Sequence, residues 1–171
     1  MFIAHLPAGY LCAKLSQRRC RDVNKKLVFW SILIGSILPD IDMFYFYLID
    51  NRQTHHHLYW THFPSFWAAI WLVVSAFALA TKNKRLFLAN TALAAGLLLH
   101  LLLDSLVGGV AWLHPFSSKL YYMLEIPATR SWWVWNFVLH WTFLAEVLIC
   151  LAALVLLVRS RMKSTSVHSH D

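Results

Sequence analysis

Residues 86–108 read LFLANTALAAGLLLHLLLDSLVG. At about 1.5 Å per residue, a helix of this length is roughly 35 Å long and can cross a hydrocarbon core of about 30 Å. The stretch contains no Lys, Arg or Glu, and its only ionisable residues are His100 and Asp104. Gly96, His100, Asp104 and Gly108 recur every four residues and therefore share one helix face. A charged group at mid-membrane costs on the order of 2.5 to 3.5 kcal/mol on insertion scales, so a His/Asp stripe there calls for partners. The two glycines let another helix approach that stripe closely.

Outward from this core, Leu27–Ile49, Phe63–Thr81 and Val134–Val158 are also long, apolar and free of Lys and Arg. With 59% apolar residues and a mean hydropathy of +0.54, the chain exceeds what a soluble domain needs. The net charge of +7 could suggest nucleic acid, but the basic residues alternate with the apolar stretches. Lys14, Arg18, Arg19, Arg21, Lys25 and Lys26 precede the first, Lys82, Lys84 and Arg85 separate the second and third, and Arg159, Arg161 and Lys163 follow the fourth. The opposite connections hold only Arg52, Lys119 and Arg130. These are topology signals, with both termini cytoplasmic and the longer loops external.

The expected fold is therefore all-α, a polytopic membrane helical bundle of about four transmembrane helices. A short N-terminal membrane-associated helix, Met1–Ala13, is apolar but too short to cross. Residues 1–158 form one integral membrane domain and 159–171 a polar, frayed cytoplasmic tail. Trp132, Trp133 and Trp135 mark an aromatic anchor where the fourth span starts. Cys12, Cys20 and Cys150 are odd in number and lack CxxC spacing, which argues against a disulfide framework or a zinc-thiolate site. The first Lys is Lys14, after the apolar run, so the N-terminus is read as uncleaved, and bulky Leu11 before Cys12 argues against lipidation.

In the first span, Pro39 cannot continue the helical ladder and frees the carbonyl of Gly35, so LPDID should be a kink or break. Asp40 lies roughly 20 Å from Leu27 along a helix, and His100 roughly 21 Å from Leu86 at the same basic face. Carboxylate and imidazole thus share one depth, in the outer third. On an unbroken helix Asp40 and Asp42 would point about 200° apart; a break lets both face the cluster. The loop Asp50–His62 then supplies His55, His56, His57 and His62 from outside, with His57 preferred among the first three. Gly108–Trp133, marked by Gly108, Gly109, Pro115 and Pro127, is long enough to serve as a lid.

Neutral imidazole and carboxylate suit zinc, and with water they also suit manganese or iron. An open position on such an ion lowers the pKa of bound water to about 7 and supplies a hydroxide nucleophile, which points to hydrolysis. The expected metal ligands are Asp40, Asp42, His57, His62, His100 and Asp104, with Asp42 also the catalytic carboxylate. That set exceeds the needs of one tetrahedral ion, so one or two ions are expected.

The segments MFIAHLPAGYL, GSILPDID, DNRQTHHHLYWTHFPSFW and GLLLHLLLDSLVGGVAWLHPFS resemble bacterial membrane-bound, metal-dependent hydrolases of the YdjM-like type over most of residues 1–118. The resemblance implies an inner-membrane enzyme and a ligand pattern that carries over to His5, Asp40 and Asp42, His57 with Thr61 and His62, and His100 with Asp104. A helix dipping up from the inner face would lift His5 about 13 Å above Lys14, where it could meet the cluster from below. The ligand order is also similar to that of the zinc-dependent phospholipase C and single-strand nuclease group, which implies phosphoester hydrolysis. His114 stands where that pattern has an aromatic residue.

The implied partners are membrane lipids and a lipid or phosphoester substrate, with no nucleic acid. A carrier or sensor that binds metal or protons without chemistry is the alternative class, and its ionisable residues would line a path across the membrane. A di-iron lipid oxidase would need paired HxxxH and HxxHH boxes, which the chain lacks. Asn136 and His140 share a face, Glu146 does not, and all three are expected to make polar contacts between helices. His168 and His170 are expected to be solvated.

Overall fold

Asn83 opens the central helix: its side-chain oxygen accepts from the Leu86 amide at 3.0 Å, satisfying one of the donors left over at a helix start. The computed structural model describes residues 3–19, 22–54 and 56–168, so Cys20, Arg21, His55 and His170 lie outside the described residues. The described helices are α1 His5–Gln17, α2 Asp22–Gly35, α3 Asp42–Leu48, α4 Pro64–Ala80, α5 Lys84–Val107, α6 Trp133–Val138 and α7 Thr142–His168. Single 3-10 turns occupy Pro39–Ile41, His56–Leu58 and Trp60–His62. Among the described residues there is no strand, only an isolated bridge between Val110 and Tyr121.

The chain is all-helical, but two helices rather than four are long and apolar enough by themselves to cross a membrane: α5, with 24 residues, and Thr142–Met162 of α7, with 21. A third candidate is a bent pair, Asn24–Gly35 with Pro39–Leu48, whose halves meet at 51°. The expected break at LPDID is thus present. α4 has 17 residues, roughly 25 Å of helix, short of the hydrocarbon thickness of about 30 Å. α4 starts at Pro64, one residue after its expected start, directly behind the 3-10 turn Trp60–His62 that buries Thr61 and His62.

The expected fourth span from Val134 is also interrupted, because α6 ends at Val138 and α7 begins at Thr142. His140 sits in the gap, where its Nδ1 accepts from the Thr142 hydroxyl at 2.8 Å and the Thr142 amide at 3.4 Å. An imidazole that takes the first amide of a helix acts as a cap and starts a new element. At its other end α7 continues helically to His168, where a frayed tail was expected from Arg159.

α5 packs on α2, α4 and α1, and α1 also packs on α2 and α7. The closest crossing is glycine on glycine. A Cβ on Gly35 would lie 2.2 Å from the Leu93 carbonyl oxygen, and one on Gly96 would lie 2.2 Å from that of Ile32. The α4 side is tied by Asn90, whose amide donates to the Trp71 carbonyl at 2.9 Å and to Ser75 Oγ at 3.0 Å. Apolar side chains such as Leu72, Val73 and Phe77 on α4 and Leu144, Leu148 and Leu151 on α7 face outward. Conversely, the largest fully buried side chains include His62, His100, Thr61 and Asp104. This inversion suits a lipid surround, where apolar surface costs nothing and polar groups must be satisfied inside.

Gly96→Val should push α2 off α5 and destabilise the protein by about 1–3 kcal/mol, the usual range for overpacking. Exposed Ala95→Val should leave it nearly unchanged. Thermal unfolding in detergent, followed by circular dichroism, compares the two.

Candidate metal centre

Asp104, 1% exposed, is the hub. Its Oδ2 lies 3.0 Å from His100 Nε2 and 3.7 Å from both His57 Nε2 and His62 Nε2. Its Oδ1 lies 3.0 Å from His5 Nε2. Asp40 Oδ1 approaches the same space, 3.6 Å from His100 Nε2 and 3.7 Å from His62 Nε2. Of the seven residues expected as ligands, six therefore converge: His5, Asp40, His57, His62, His100 and Asp104.

Three of the imidazoles are fixed from behind. His100 Nδ1 donates to the Ser36 carbonyl at 2.9 Å, His57 Nδ1 to the Gly109 carbonyl at 2.7 Å, and His62 Nδ1 to Asp42 Oδ2 at 2.8 Å. Those oxygens can only accept, so each Nδ1 carries a proton and Nε2 is the atom turned toward the carboxylates. Ser36 is free to accept because the turn at Pro39–Ile41 tightens: the Asp40 amide bonds to Ile37 rather than to Ser36. The carbonyl that reaches His100 is thus that of Ser36, the residue after the Gly35 whose carbonyl Pro39 cannot bond. Gly108 makes room for His57, since a Cβ there would lie 2.3 Å from its Cε1.

Asp42 stands behind His62, accepting from its Nδ1 and from the Thr61 hydroxyl. Expected as a ligand and as the catalytic carboxylate, it orients an imidazole through Oδ2, while its Oδ1 is buried and makes no hydrogen bond to a described residue. His5 does reach the cluster. α1 starts beside the site, and the His5 ring stacks on His100 with centroids 4.0 Å apart. The Ile3–His5 segment therefore lies at the site, at the end of α1 away from Lys14. Glu146, 3% exposed, secures it by accepting from the Ile3 amide at 2.6 Å. Nothing in the Glu146 spacing on α7 signalled that contact. His56, which forms a metal-capable group with His57 and His62, is the neighbour the sequence left unranked. His114 is elsewhere, stacked on Phe63 at 3.6 Å.

A divalent cation fits this donor set. The Nε2 atoms of His62 and His100 are buried and make no hydrogen bond to a described residue, although a buried polar group left unsatisfied costs about 1–3 kcal/mol. Ligand atoms about 2.0–2.1 Å from a tetrahedral zinc stand roughly 3.3 Å apart, and the separations here are 3.0 to 3.7 Å. His62, His100 and Asp104 make one compact group, His5, Asp40 and His100 a second, and His56, His57 and His62 a third. Sharing of His62 and His100 between groups leaves room for one ion or two adjacent ones. The electrostatics agree: burial alone would lower the His62 pKa, but Asp40 and Asp42 outweigh it and raise it to about 9. The site asks for a positive charge, which a proton or a metal can supply. At His56 burial, followed by the nearby imidazoles of His57 and His62, outweighs Asp104 and Asp40 and pushes the pKa down to about 3.

The loop expected as a lid closes over the end of α5. The Met123 and Leu124 amides donate to the Ser105 and Leu106 carbonyls at 2.8 and 2.9 Å, and Trp112 Nε1 donates to Ser105 Oγ at 2.8 Å. The side chains of the other cluster residues are almost wholly covered, whereas that of Asp40 is 36% exposed. The outward edge of the cluster is therefore at Asp40, whose chain neighbours Ile37, Ile41 and Phe44 are exposed.

The family model described as YdjM inner membrane protein matches residues 1–166, and the chain belongs to that family. No curated protein and no solved structure matches it.

Asp42→Asn should weaken metal binding about 10- to 100-fold, the usual cost of losing a partner that orients a ligand, without unfolding the protein. Competition with a zinc chelator in detergent measures the affinity.

Proposed function

We propose that this YdjM-family membrane protein is a metal-dependent hydrolase that cuts an ester or phosphoester, with a lipid as the substrate class. The observation that carries the reading is the set of three imidazoles locked at Nδ1 with Nε2 turned onto Asp104. Fixed tautomers and a shared carboxylate are what a resident ion needs. One or two divalent ions, zinc first and manganese or iron otherwise, would lower the pKa of a water molecule and polarise the scissile carbonyl or phosphoryl oxygen.

His57, His62, His100, Asp104 and Asp40 hold the ion or ions, and His5 joins them from α1. Asp42 keeps His62 in its tautomer. Asp40, as the carboxylate at the opening, is placed to take the proton from the attacking water. The lipid preference rests on the surroundings of Asp40, since its exposed chain neighbours Ile37, Ile41 and Phe44 suit an amphiphile better than a polar solute. In this reading the bent α2–α3 pair, α4, α5 and α7 are four spans, with α4 short beneath the site. The basic ends of the helices are cytoplasmic, and the centre faces the outer leaflet.

Purified protein should contain stoichiometric transition metal and hydrolyse a phosphodiester, an ester or phospholipid vesicles. Chelation should abolish turnover and added zinc restore it. Asp104→Ala combined with His100→Ala should lose the metal and at least about 100-fold in rate, equivalent to roughly 2.7 kcal/mol of barrier. Metal that stays bound in that double variant sinks the proposed site. Metal bound without turnover of any of these probes would instead favour a carrier or sensor.

A further inference from the structure

The opposite end of α1 carries a second candidate site, unconnected with the metal cluster. Lys14, Gln17 and Arg18 of α1, Lys25 of α2 and Leu156 of α7 line a cavity of about 250 Å³, just below the roughly 300 Å³ at which small-molecule pockets begin. Lys14 and Arg18 are four residues apart, so two like charges share one helix face and repel. Neither has a carboxylate partner among the described residues. The Lys14 ammonium is held by aromatic faces instead, 5.4 Å from the Phe29 ring centroid and 5.7 Å from that of Tyr10. The Gln17 amide is fixed by donating to the Lys25 carbonyl at 2.9 Å.

We propose that this cavity binds the phosphate of an anionic phospholipid headgroup. Its polar lining comes from cations and one amide, a set of donors suited to phosphate oxygens. Its remaining wall is Leu156, and α7 continues along the bundle surface with exposed Leu154, Leu157 and Val158, an apolar path for acyl chains. A cavity of this size takes a headgroup and leaves the chains outside. The cavity lies among the basic helix ends, where basic pockets between helices take anionic headgroups. Occupancy would join α1, α2 and α7 at the end remote from His5.

Native mass spectrometry of protein released from mixed phosphatidylglycerol and phosphatidylcholine micelles tests this. Wild type should retain phosphatidylglycerol in preference to phosphatidylcholine. Lys14→Met combined with Lys25→Met, which keeps the apolar stems, should weaken that retention at least tenfold. Lys84→Met combined with Arg85→Met removes equal charge from exposed positions outside the cavity and should leave retention unchanged. Unaltered metal content in both double variants, and in Arg18→Gln as a milder change, shows that the fold survives. No preference in wild type, or equal losses in the two double variants, overturns the proposal. Complete displacement by millimolar inorganic phosphate would assign the cavity to free phosphate and also overturn the lipid assignment.

Discussion

Each of three buried imidazoles gives its Nδ1 proton to an oxygen that cannot move independently: the Ser36 carbonyl at the helix break, the Gly109 carbonyl after α5, and the Asp42 carboxylate at the start of α3. That leaves three Nε2 atoms around Asp104, a concentration of acceptors that a cation among them would satisfy. Many of the irregularities of the fold serve this arrangement. The 3-10 turn at Pro39–Ile41 releases the Ser36 carbonyl and breaks the first apolar stretch, and the turn at Trp60–His62 brings His62 inward. The Gly35–Gly96 crossing brings α2 close enough to α5 for that carbonyl to meet His100.

The centre is rigid where it holds and open where it would act. Its imidazoles and Asp104 are nearly inaccessible, backed by α1, α5 and the loop folded over α5, while Asp40 alone has an outward edge. A ligand set with one open side is the arrangement that separates a catalytic ion from a structural one.

Much of this was legible in the residues. The four-residue recurrence of Gly96, His100, Asp104 and Gly108 states both a helix face and its polar purpose, and Pro39 just ahead of two acidic positions states a break. Two features were not legible because they depend on long-range contacts. Asp42 and Asp40 look equivalent in LPDID, but only packing decides that one faces the hub and the other faces the back of His62. The rise of α1 to the cluster was foreseen for His5, but not its anchor, the Glu146 carboxylate that secures the Ile3 amide from a helix 143 positions later. The break between α6 and α7 was hidden for a different reason: it uses a histidine ring as a cap and contains neither Pro nor Gly.

The most direct measurement is X-ray absorption at the zinc edge on purified, zinc-loaded protein. The account predicts a first shell of nitrogen and oxygen at about 2.0–2.1 Å with outer-shell scattering from at least two or three imidazoles. A sulfur shell near 2.3 Å, or a shell of oxygen alone, would contradict it.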